Sequence, residues 1–287
     1  MPQAPSQTLG AMVMRHIPPE DVPVHVRRLD GRLDELWIVE DCFYAGGVSQ
    51  LTAVLAATTQ SKIGHGIAPA PFRNPAALAM EWATLDRLYP GRLMCGVGHG
   101  VDYWMKQIGE AVDSPITLMR ETVTTTRQLL AGQTVSIDGR YVSLDQVTLE
   151  FPPPAPLPIS LGVRGPVSLR LAGEVADGTI MGEGLEPADV ADIRTQTNAG
   201  RAVANRTDHH RLTSFVGFFI GDTADLPPPP ADITPGWAAV GNAEQVAASC
   251  QEMLDAGVDA LIFVPFGEPD EQLDLAIDQV APQLKLR

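Results

Sequence analysis

The sequence predicts an α/β protein built as a (β/α)8 TIM barrel with short insertions, on three observations. Eight short apolar runs, typical of strands buried on both faces, occur along the chain. Longer segments with helical periodicity lie between or after these runs. Eight such units within 287 residues fit a closed barrel better than an open sheet. No repeat or linker is visible, so we expect residues 1–287 to form a single domain.

The elements follow one another in a regular order. Strands are expected at 10–16, 36–40, 63–68, 93–96, 159–162, 178–181, 212–221 and 260–266. Helices are expected at 22–33, 49–57, 75–88, 117–130, 167–175, 187–203, 242–256 and 270–284. Residues at the helix ends support this assignment. Asn74 before Pro75 is typical of an N-cap, Asn242 is a second cap with Gln245 three residues on, and Gly257 is placed to end its helix.

Two segments depart from the regular alternation. Residues 135–144 alternate around Asp138 and Gly139, a dipeptide typical of tight hairpins, so we expect a hairpin after the fourth helix. The four prolines at 227–230 fit neither a helix nor an inner strand, and they predict an exposed connector before the eighth unit.

The charge balance excludes several classes of partner. The 20 lysines and arginines against 35 aspartates and glutamates give a net charge of −15, which repels nucleic-acid phosphates and anionic lipids. No apolar run reaches the roughly 18 residues that span a bilayer. The first residues lack a secretory signal pattern. We therefore expect a soluble protein without nucleic-acid or membrane partners.

The cysteines indicate a reducing environment. Cys42, Cys95 and Cys250 are far apart, odd in number and form no CxxC pair, which argues against a disulfide scaffold and a zinc site. No HExxH or similar histidine pair occurs either. We expect a cytoplasmic protein without a metal site.

Ligands of such barrels bind at the loops that follow the carboxyl ends of the strands. The segment 162–168 follows the fifth strand and opens a helix, so its backbone amides and the helix dipole suit a phosphate. An ordinary tight turn with Arg164 in solvent explains the same residues equally well.

Four residues at or after strand ends are candidates for chemistry. His99 lies among small residues after the fourth strand, and imidazole titrates near neutrality, so it is the best candidate for proton transfer. A loop histidine bonded to a nearby carbonyl is the alternative. Glu40 and Asp41 are adjacent at a strand end, where one of the two side chains points inward. Cys42 is either a thiolate nucleophile or a small buried residue.

Other enzyme classes fit less well. The glycines at 96–100 lack the GxGxxG spacing of a dinucleotide-binding loop. Glu40 or Asp41 with Glu183 could imitate the carboxylates of a glycosidase, but aromatic residues, which line such clefts, are only 6% of the chain. A Schiff-base aldolase needs a lysine buried within a strand. The lysines are Lys62, Lys106 and Lys285, and none is so placed.

Four blocks of the sequence resemble the luciferase-like monooxygenase superfamily. They lie at 36–41, 74–100, 158–180 and 241–263, and the second half of the third block, LAGEVADG, is the most specific. The superfamily includes flavin-dependent monooxygenases and reductases that use the deazaflavin coenzyme F420. The resemblance implies a barrel oxidoreductase, and members are commonly homodimers.

The resemblance also implies where a cofactor lies. The flavin or deazaflavin ring would rest against the loop after the third strand, where many members have a non-prolyl cis peptide. The phosphate would meet the amides that open the helix after the fifth strand. The implied cofactor contacts are Gly66, Ile67, Ala68, Gly98, His99, Gly162, Val163, Arg164, Gly165 and Ser168.

Two residues depart from the superfamily's dehydrogenases. Those enzymes carry a histidine after the aspartate of the second strand and a glutamate after the glycines of the fourth, where this chain has Cys42 and His99. The resemblance therefore favours a reductase or a monooxygenase over a sugar-phosphate dehydrogenase. Coenzyme F420 is preferred over FMN because the likeness to that branch is closer. The 17 arginines against 3 lysines are also typical of genomes where that coenzyme is common.

The expected function is transfer of hydride to, or monooxygenation of, a small organic substrate. His99 or Asp41 would supply a proton. The alternatives are a non-catalytic flavin-binding barrel and a barrel hydrolase that uses Glu40, Asp41 or Glu183.

Overall fold

The structure is a computed structural model that describes residues 6–228 and 236–287. The strands in these residues are β1 (Thr8–Val13), β2 (Glu35–Ile38), β3 (Lys62–Pro69), β4 (Leu93–Gly98), β5 (Val135–Asp138), β6 (Ser143–Val147), β7 (Ile159–Gly162), β8 (Gly178–Met181), β9 (Arg211–Ile220), β10 (Ala239–Gly241) and β11 (Ala260–Pro265). Eight of them form a parallel barrel in the order β1, β2, β3, β4, β7, β8, β9, β11, and β11 pairs with β1 to close it. The predicted (β/α)8 barrel is confirmed, with every strand end within three residues of its expected position.

Helices surround the barrel in the same described ranges. They are α1 (Val22–Leu29), α2 (Gly47–Ala57), α3 (Pro75–Leu88), α4 (Asp102–Gln107), α5 (Pro115–Leu130), α6 (Pro166–Val175), α7 (Pro187–Val203), α8 (Ala243–Asp255) and α9 (Pro269–Leu275). The first ends four residues early, before Gly31, whose φ of +77° does not fit a helix. The last continues as a π-helical turn, Ala276–Val280, and a short 3-10 turn, Ala281–Gln283. The sequence did not predict α4, because six residues are too few for a periodic pattern.

The three predicted helix ends are confirmed. The Asn74 side chain accepts a hydrogen bond from the amide of Ala76 at the start of α3. Asn242 and Gln245 form a reciprocal capping box at the start of α8. Gly257 follows α8 with a φ of +107°, as a glycine after a helix end should.

The insertion after α5 is a hairpin, as predicted, but its turn is longer than expected. Antiparallel β5 and β6 are joined by residues 139–142 instead of a two-residue turn at Asp138 and Gly139. The carboxylate of Glu121 on α5 accepts hydrogen bonds from the amides of Arg140, Tyr141 and Val142 at 2.8–3.0 Å. A side chain distant in sequence therefore holds the wider turn.

The connector expected at 227–230 is only partly described. Positions 227 and 228 belong to neither a helix nor a strand, while 229 and 230 lie outside the described residues. Beyond it, β10 pairs with β9 outside the barrel.

The barrel interior is filled at its amino end and centre. The rings of Trp37 and Phe215 pack edge to face with 5.7 Å between their centroids. Below them, buried Glu35 accepts hydrogen bonds from Thr8 at 2.7 Å and from the Trp37 indole at 3.0 Å, and it pairs with Arg211. The carboxyl end is therefore the end that remains for a ligand.

Helices α6 and α7 cross at two glycines. A Cβ atom on Gly173 would overlap the carbonyl oxygen of Thr197, and one on Gly200 would overlap that of Arg170. Close approach of the two backbones requires both glycines. This contact explains Gly173, the first of the two glycines in the LAGEVADG block.

Across residues 6–228 and 236–287, none of the helices is long and apolar enough to span a bilayer.

Candidate functional site

The loop after β3 contains a bulge at the barrel mouth. The peptide bond between Gly66 and Ile67 is cis, and the pairing with β4 shifts between His65 and Ala68. The non-prolyl cis peptide implied by the resemblance is thus present where it was expected. The bulge turns the Ile67 side chain, which is partly exposed, over the ends of β4 and β7.

Glycines of the neighbouring strands make room for Ile67. A Cβ atom on Gly98 would lie 2.6 Å from Ile67 Cδ1, and one on Gly162 would lie 2.6 Å from Ile67 Cγ2. The structure therefore brings together Gly66, Ile67, Gly98 and Gly162 among the predicted cofactor residues. The resemblance implied that Gly98 and Gly162 contact the cofactor, whereas in the structure they directly accommodate an isoleucine of the bulge.

His99 contacts the start of α6. Its Nε2 lies 3.0 Å from the hydroxyl oxygen of Ser168. Burial lowers the pKa of His99 below its ordinary value of 6.5. The imidazole is therefore mainly neutral at pH 7. The candidate proton carrier and the candidate phosphate segment, 69 residues apart in sequence, share a hydrogen bond.

The first turn of α6 has the features of an anion site. Gly165 is its N-cap, and no side chain caps the exposed amides. Pro166 at the first helical position has no N–H, so the amides of Val167 and Ser168 lead the turn. A Cβ atom on Gly165 would meet nothing within 4 Å, so space for a ligand lies in front of the turn.

The other predicted members of this segment lie on either side of the turn. Val163 is buried, and Arg164 is exposed. The Arg164 guanidinium donates to the carbonyl oxygen of Glu183 and passes over Gly182. Arg164 therefore bridges the ends of β7 and β8 while it remains exposed to solvent.

Glu40 is buried behind the bulge in an ion pair with Arg73. The guanidinium donates two hydrogen bonds to the carboxylate, at 2.7 and 2.8 Å, and the amide of Gly47 donates a third at 3.1 Å. Burial raises the pKa of Glu40, but the hydrogen bonds from Arg73 and His65 outweigh it and lower the pKa to about 2. Glu40 thus stays ionised and committed to this pair, which argues against a hydrolase that uses it as an acid.

His65 completes the network around Glu40. Its Nδ1 accepts a hydrogen bond of 3.3 Å from the indole of Trp82, and its Nε2 lies 3.4 Å from Glu40 Oε2. Gly47 is required beside them, because a Cβ there would lie 2.7 Å from the His65 Nε2. The sequence did not show the part played by Arg73, because no local pattern links positions 40 and 73.

Asp41 points to the mouth, where it pairs with Arg15 at the end of β1. The two side chains are 2.9 Å apart. The Arg15 guanidinium also lies 4.9 Å from the centroid of the Tyr44 ring and 6.0 Å from that of Trp104. Sequence reasoning identified Asp41 and missed Arg15, Tyr44 and Trp104.

Cys42 lies below this surface. Its side chain is 5% exposed and packs with Trp104 and Met105. Burial, followed by the carboxylates of Asp41 and Glu40, raises the pKa of the Cys42 thiol above its ordinary value. The thiol is protonated at neutral pH, so these surroundings favour the packing role over the thiolate nucleophile.

Glu183 faces the same opening from β8. Burial raises the pKa of this half-buried carboxyl, while Arg164 acts in the opposite direction. The charge of Asp41 also raises the pKa of Glu183, and that of Arg15 lowers it.

A small pocket of about 60 Å³ adjoins His99. Its walls include Ala70, Met105 and Leu118, from the bulge loop, α4 and α5. The mouth therefore combines an uncapped helix start, a neutral imidazole and a small recess.

Comparison with known proteins identifies relatives of this chain. The profile of the luciferase-like monooxygenase family matches residues 25–226. A 5,10-methylenetetrahydromethanopterin reductase of Archaeoglobus fulgidus is 30% identical over 178 residues, which are 62% of this chain and 53% of that protein. The chain thus spans about half the length of this relative. An F420-dependent glucose-6-phosphate dehydrogenase of Rhodococcus jostii is 27% identical, and the match covers 82% of each chain.

Solved structures share the fold. An F420-dependent secondary alcohol dehydrogenase in complex with an F420-acetone adduct superposes with a TM-score of 0.84 and 20% identity, covering 97% of this chain and 99% of that one. An FMN complex of 3,6-diketocamphane monooxygenase from Pseudomonas putida gives a TM-score of 0.76 at 15% identity, covering 97% and 99%. These likenesses support the same barrel architecture.

Proposed function

Because the chain belongs to the luciferase-like monooxygenase family, we propose that it is an oxidoreductase that binds coenzyme F420 at the carboxyl end of its barrel. In its reduced form the cofactor would pass hydride to a small organic substrate. Relatives named for F420, at 27% and 34% identity, support this choice of cofactor over FMN. The homodimer and the cytoplasmic location implied by the family resemblance stay predictions.

One observation carries the proposal. The hydrogen bond between His99 and Ser168 sets a proton-carrying group directly beside an uncapped helix start. The cis bulge at Gly66 and Ile67 borders the same space, since Ile67 reaches Gly98 and Gly162 on the two strands that carry these loops. The phosphate of the cofactor at the start of α6 and its ring at the bulge would therefore occupy adjoining positions.

The residues present fit such a cofactor. The amides of Val167 and Ser168 would hold the phosphate, aided by the helix dipole and by the room in front of Gly165. Ile67 would support the ring. The filled interior below it, centred on Trp37 and Phe215, would keep water from reaching the ring from the barrel side.

The cofactor supplies the hydride chemistry, and the chain supplies orientation and proton transfer. His99 rests as neutral imidazole at pH 7, and because its Nε2 contacts Ser168, Nδ1 would be the atom that accepts a proton from a hydroxyl substrate. In the reverse direction its protonated form donates that proton to the oxygen or carbon that becomes electron-rich. Ser168 orients the ring through the 3.0 Å hydrogen bond.

The proposal is tested at Gly165, where a side chain has open space. Gly165→Asp places a carboxylate on the anion site and caps the amides, so we expect binding of F420 to weaken by about 100-fold or more. Gly165→Ala neither caps the amides nor adds a charge. The affinity of this variant for F420 should stay within about threefold of the wild type. Absorbance titration of each purified protein with F420 and with FMN measures both effects. Equal binding by the two variants would contradict the proposed phosphate site.

An FMN-dependent monooxygenase is the second candidate, supported by the FMN-bound barrel of the same architecture. Tighter binding of FMN than of F420 would favour it. Tight cofactor binding without turnover would favour the non-catalytic barrel, and indifference to both cofactors would favour a hydrolase that uses Asp41 or Glu183.

A further inference from the structure

Apolar side chains stand exposed on the loops that follow β2 and β4. Phe43 is 66% exposed, Tyr44 50%, Val101 41% and Tyr103 47%. Exposed apolar side chains that cluster beside a site mark a binding surface more often than single scattered ones do. We propose that these four residues, the aromatic wall, receive the substrate of the proposed reaction, and that this substrate is a flat, conjugated and uncharged organic molecule. This inference rests on the proposed function.

The aromatic wall is held in place from below. Trp104 is 7% exposed and packs with Cys42 and Met105, which fixes α4 against the loop after β2. The ring of Tyr103 lies against Trp104 with 5.2 Å between centroids. Binding a ligand on rings that are already ordered costs little conformational entropy.

Tyr44 is oriented by a cation. The Arg15 guanidinium lies 4.9 Å from its ring centroid, and Asp41 holds that guanidinium at 2.9 Å. The ring remains half exposed, so it offers a surface to a second planar group.

The charges at the wall favour an uncharged substrate. Arg15 contacts Asp41, and Lys106 on α4 contacts Asp102 at 2.6 Å. Across the bulge, Arg73 is engaged by the buried Glu40 carboxylate. Recognition of a sugar phosphate uses cations whose hydrogen bonds go to the phosphate. Arg15, Lys106 and Arg73 are instead paired with carboxylates of the chain.

The aromatic wall is joined to the proposed reaction centre through α4. Asp102 and Met105, which flank Tyr103 and Trp104 on this helix, line the pocket that also contains His99.

Binding of coumarin, a flat unsaturated lactone, tests this inference. Equilibrium dialysis measures its affinity for the wild type, Tyr44→Leu and Tyr103→Leu, and the affinity of saturated octahydrocoumarin for the wild type. We expect each substitution to weaken coumarin binding by about 3-fold to 10-fold, and octahydrocoumarin to bind more weakly by a similar factor. Phe151→Leu is the matched control. This ring is 65% exposed and also lies near an arginine, Arg87, but it is not on the loops of the mouth.

The outcomes separate this inference from the proposed function. Equal binding of coumarin by the wild type and both wall variants would overturn the proposed role of the aromatic wall. Absence of coumarin binding by the wild type would overturn it as well. Displacement of bound coumarin by glucose 6-phosphate overturns the uncharged substrate class. Cofactor titration of the same proteins is read independently. Coumarin binding that depends on Tyr44 and Tyr103 supports the proposed role of the aromatic wall. If the same proteins bind neither F420 nor FMN, only the proposed function is overturned.

Discussion

The imidazole of His99 and the hydroxyl of Ser168 lie 3.0 Å apart and join the loop after β4 to the first turn of α6. Through this contact, the group that handles a proton and the turn that would hold a phosphate have a fixed relative position. Most of the proposed chemistry depends on this geometry.

Removing the imidazole should slow turnover more than it weakens cofactor binding. We expect His99→Ala to lower kcat by about 100-fold, because a positioned proton carrier contributes this much, while Kd for F420 changes by less than about tenfold. Single-turnover absorbance with saturating cofactor measures the rate. His209→Ala, which alters a 41% exposed histidine before β9, is the control. An unchanged rate in His99→Ala would exclude the role in proton transfer.

The pH profile should follow the same histidine. Burial holds the pKa of His99 below 6.5, so the neutral form dominates at pH 7. Substrate reduction, which needs the protonated form, should therefore fall as the pH rises through this lowered pKa, and oxidation of the alcohol product should rise. Measuring kcat in both directions between about pH 5 and 8 tests this. His99→Gln should flatten both profiles, and a wild-type profile kept by the variant would point to another group.

The Glu40 and Arg73 pair should stabilise the fold. Arg73→Met leaves the buried carboxylate without its guanidinium, which should cost about 3 kcal/mol in the free energy of unfolding at pH 7. Urea unfolding measures this loss. Arg140→Met removes an exposed, 3.6 Å pair with Asp113 and should change stability by less than about 0.5 kcal/mol. Equal stability of the two variants would show that the buried pair contributes little.

Acid should weaken the contribution of Glu40 in a defined range. Its folded pKa of about 2 lies below its ordinary value of 4.5, so the stabilisation is present above pH 4.5 and is lost as the pH falls toward 2. This part of the acid sensitivity should be reduced in Arg73→Met.

The crossing of α6 and α7 should not tolerate a methyl group. Gly173→Ala would overlap the carbonyl oxygen of Thr197, and we expect a loss of about 2 kcal/mol in the free energy of unfolding. F420 affinity should fall as well, because α6 carries the phosphate turn. Denaturant unfolding and cofactor titration check the two effects. Gly165→Ala, at the N-cap of the same helix, meets no atom within 4 Å and should lose less stability than Gly173→Ala.

His210 should make the protein less stable in mild acid. Burial, followed by the nearby guanidinium groups, lowers its pKa from 6.5 to about 4, while its Nε2 contacts the Thr179 hydroxyl at 2.9 Å. The unfolded chain binds the proton first, so stability is complete above pH 6.5 and falls toward pH 4, by about 3 kcal/mol from this residue. Unfolding curves across this range, compared with His210→Gln, should show the difference. Parallel curves for the two proteins would contradict it.

Local patterns were enough to predict the barrel. Strand positions follow from short apolar runs, and the ends at Asn74, Asn242 and Gly257 follow from capping chemistry that involves near neighbours. The bulge at Gly66 and Ile67 came from family resemblance, since no local rule specifies a cis peptide there.

The site was predicted only in part, because its contacts join distant segments. The sequence indicated His99 and Ser168 separately but not their hydrogen bond across 69 residues. It also missed Arg15 and Arg73, whose partners lie 26 and 33 residues away. A charged residue in a loop has no periodic pattern, and only the closed barrel determines which carboxylate it meets.

The hairpin of β5 and β6 is held by one carboxylate in addition to the buried side chains of Val135 and Val142. It forms its own two-stranded sheet apart from the barrel, and such a pair is marginal in water without further support. Glu121 supplies that support through three backbone amides. Local opening of this segment can therefore precede global unfolding, and the tip should be the place where proteases cut first and where a foreign loop can be grafted without disturbing the barrel.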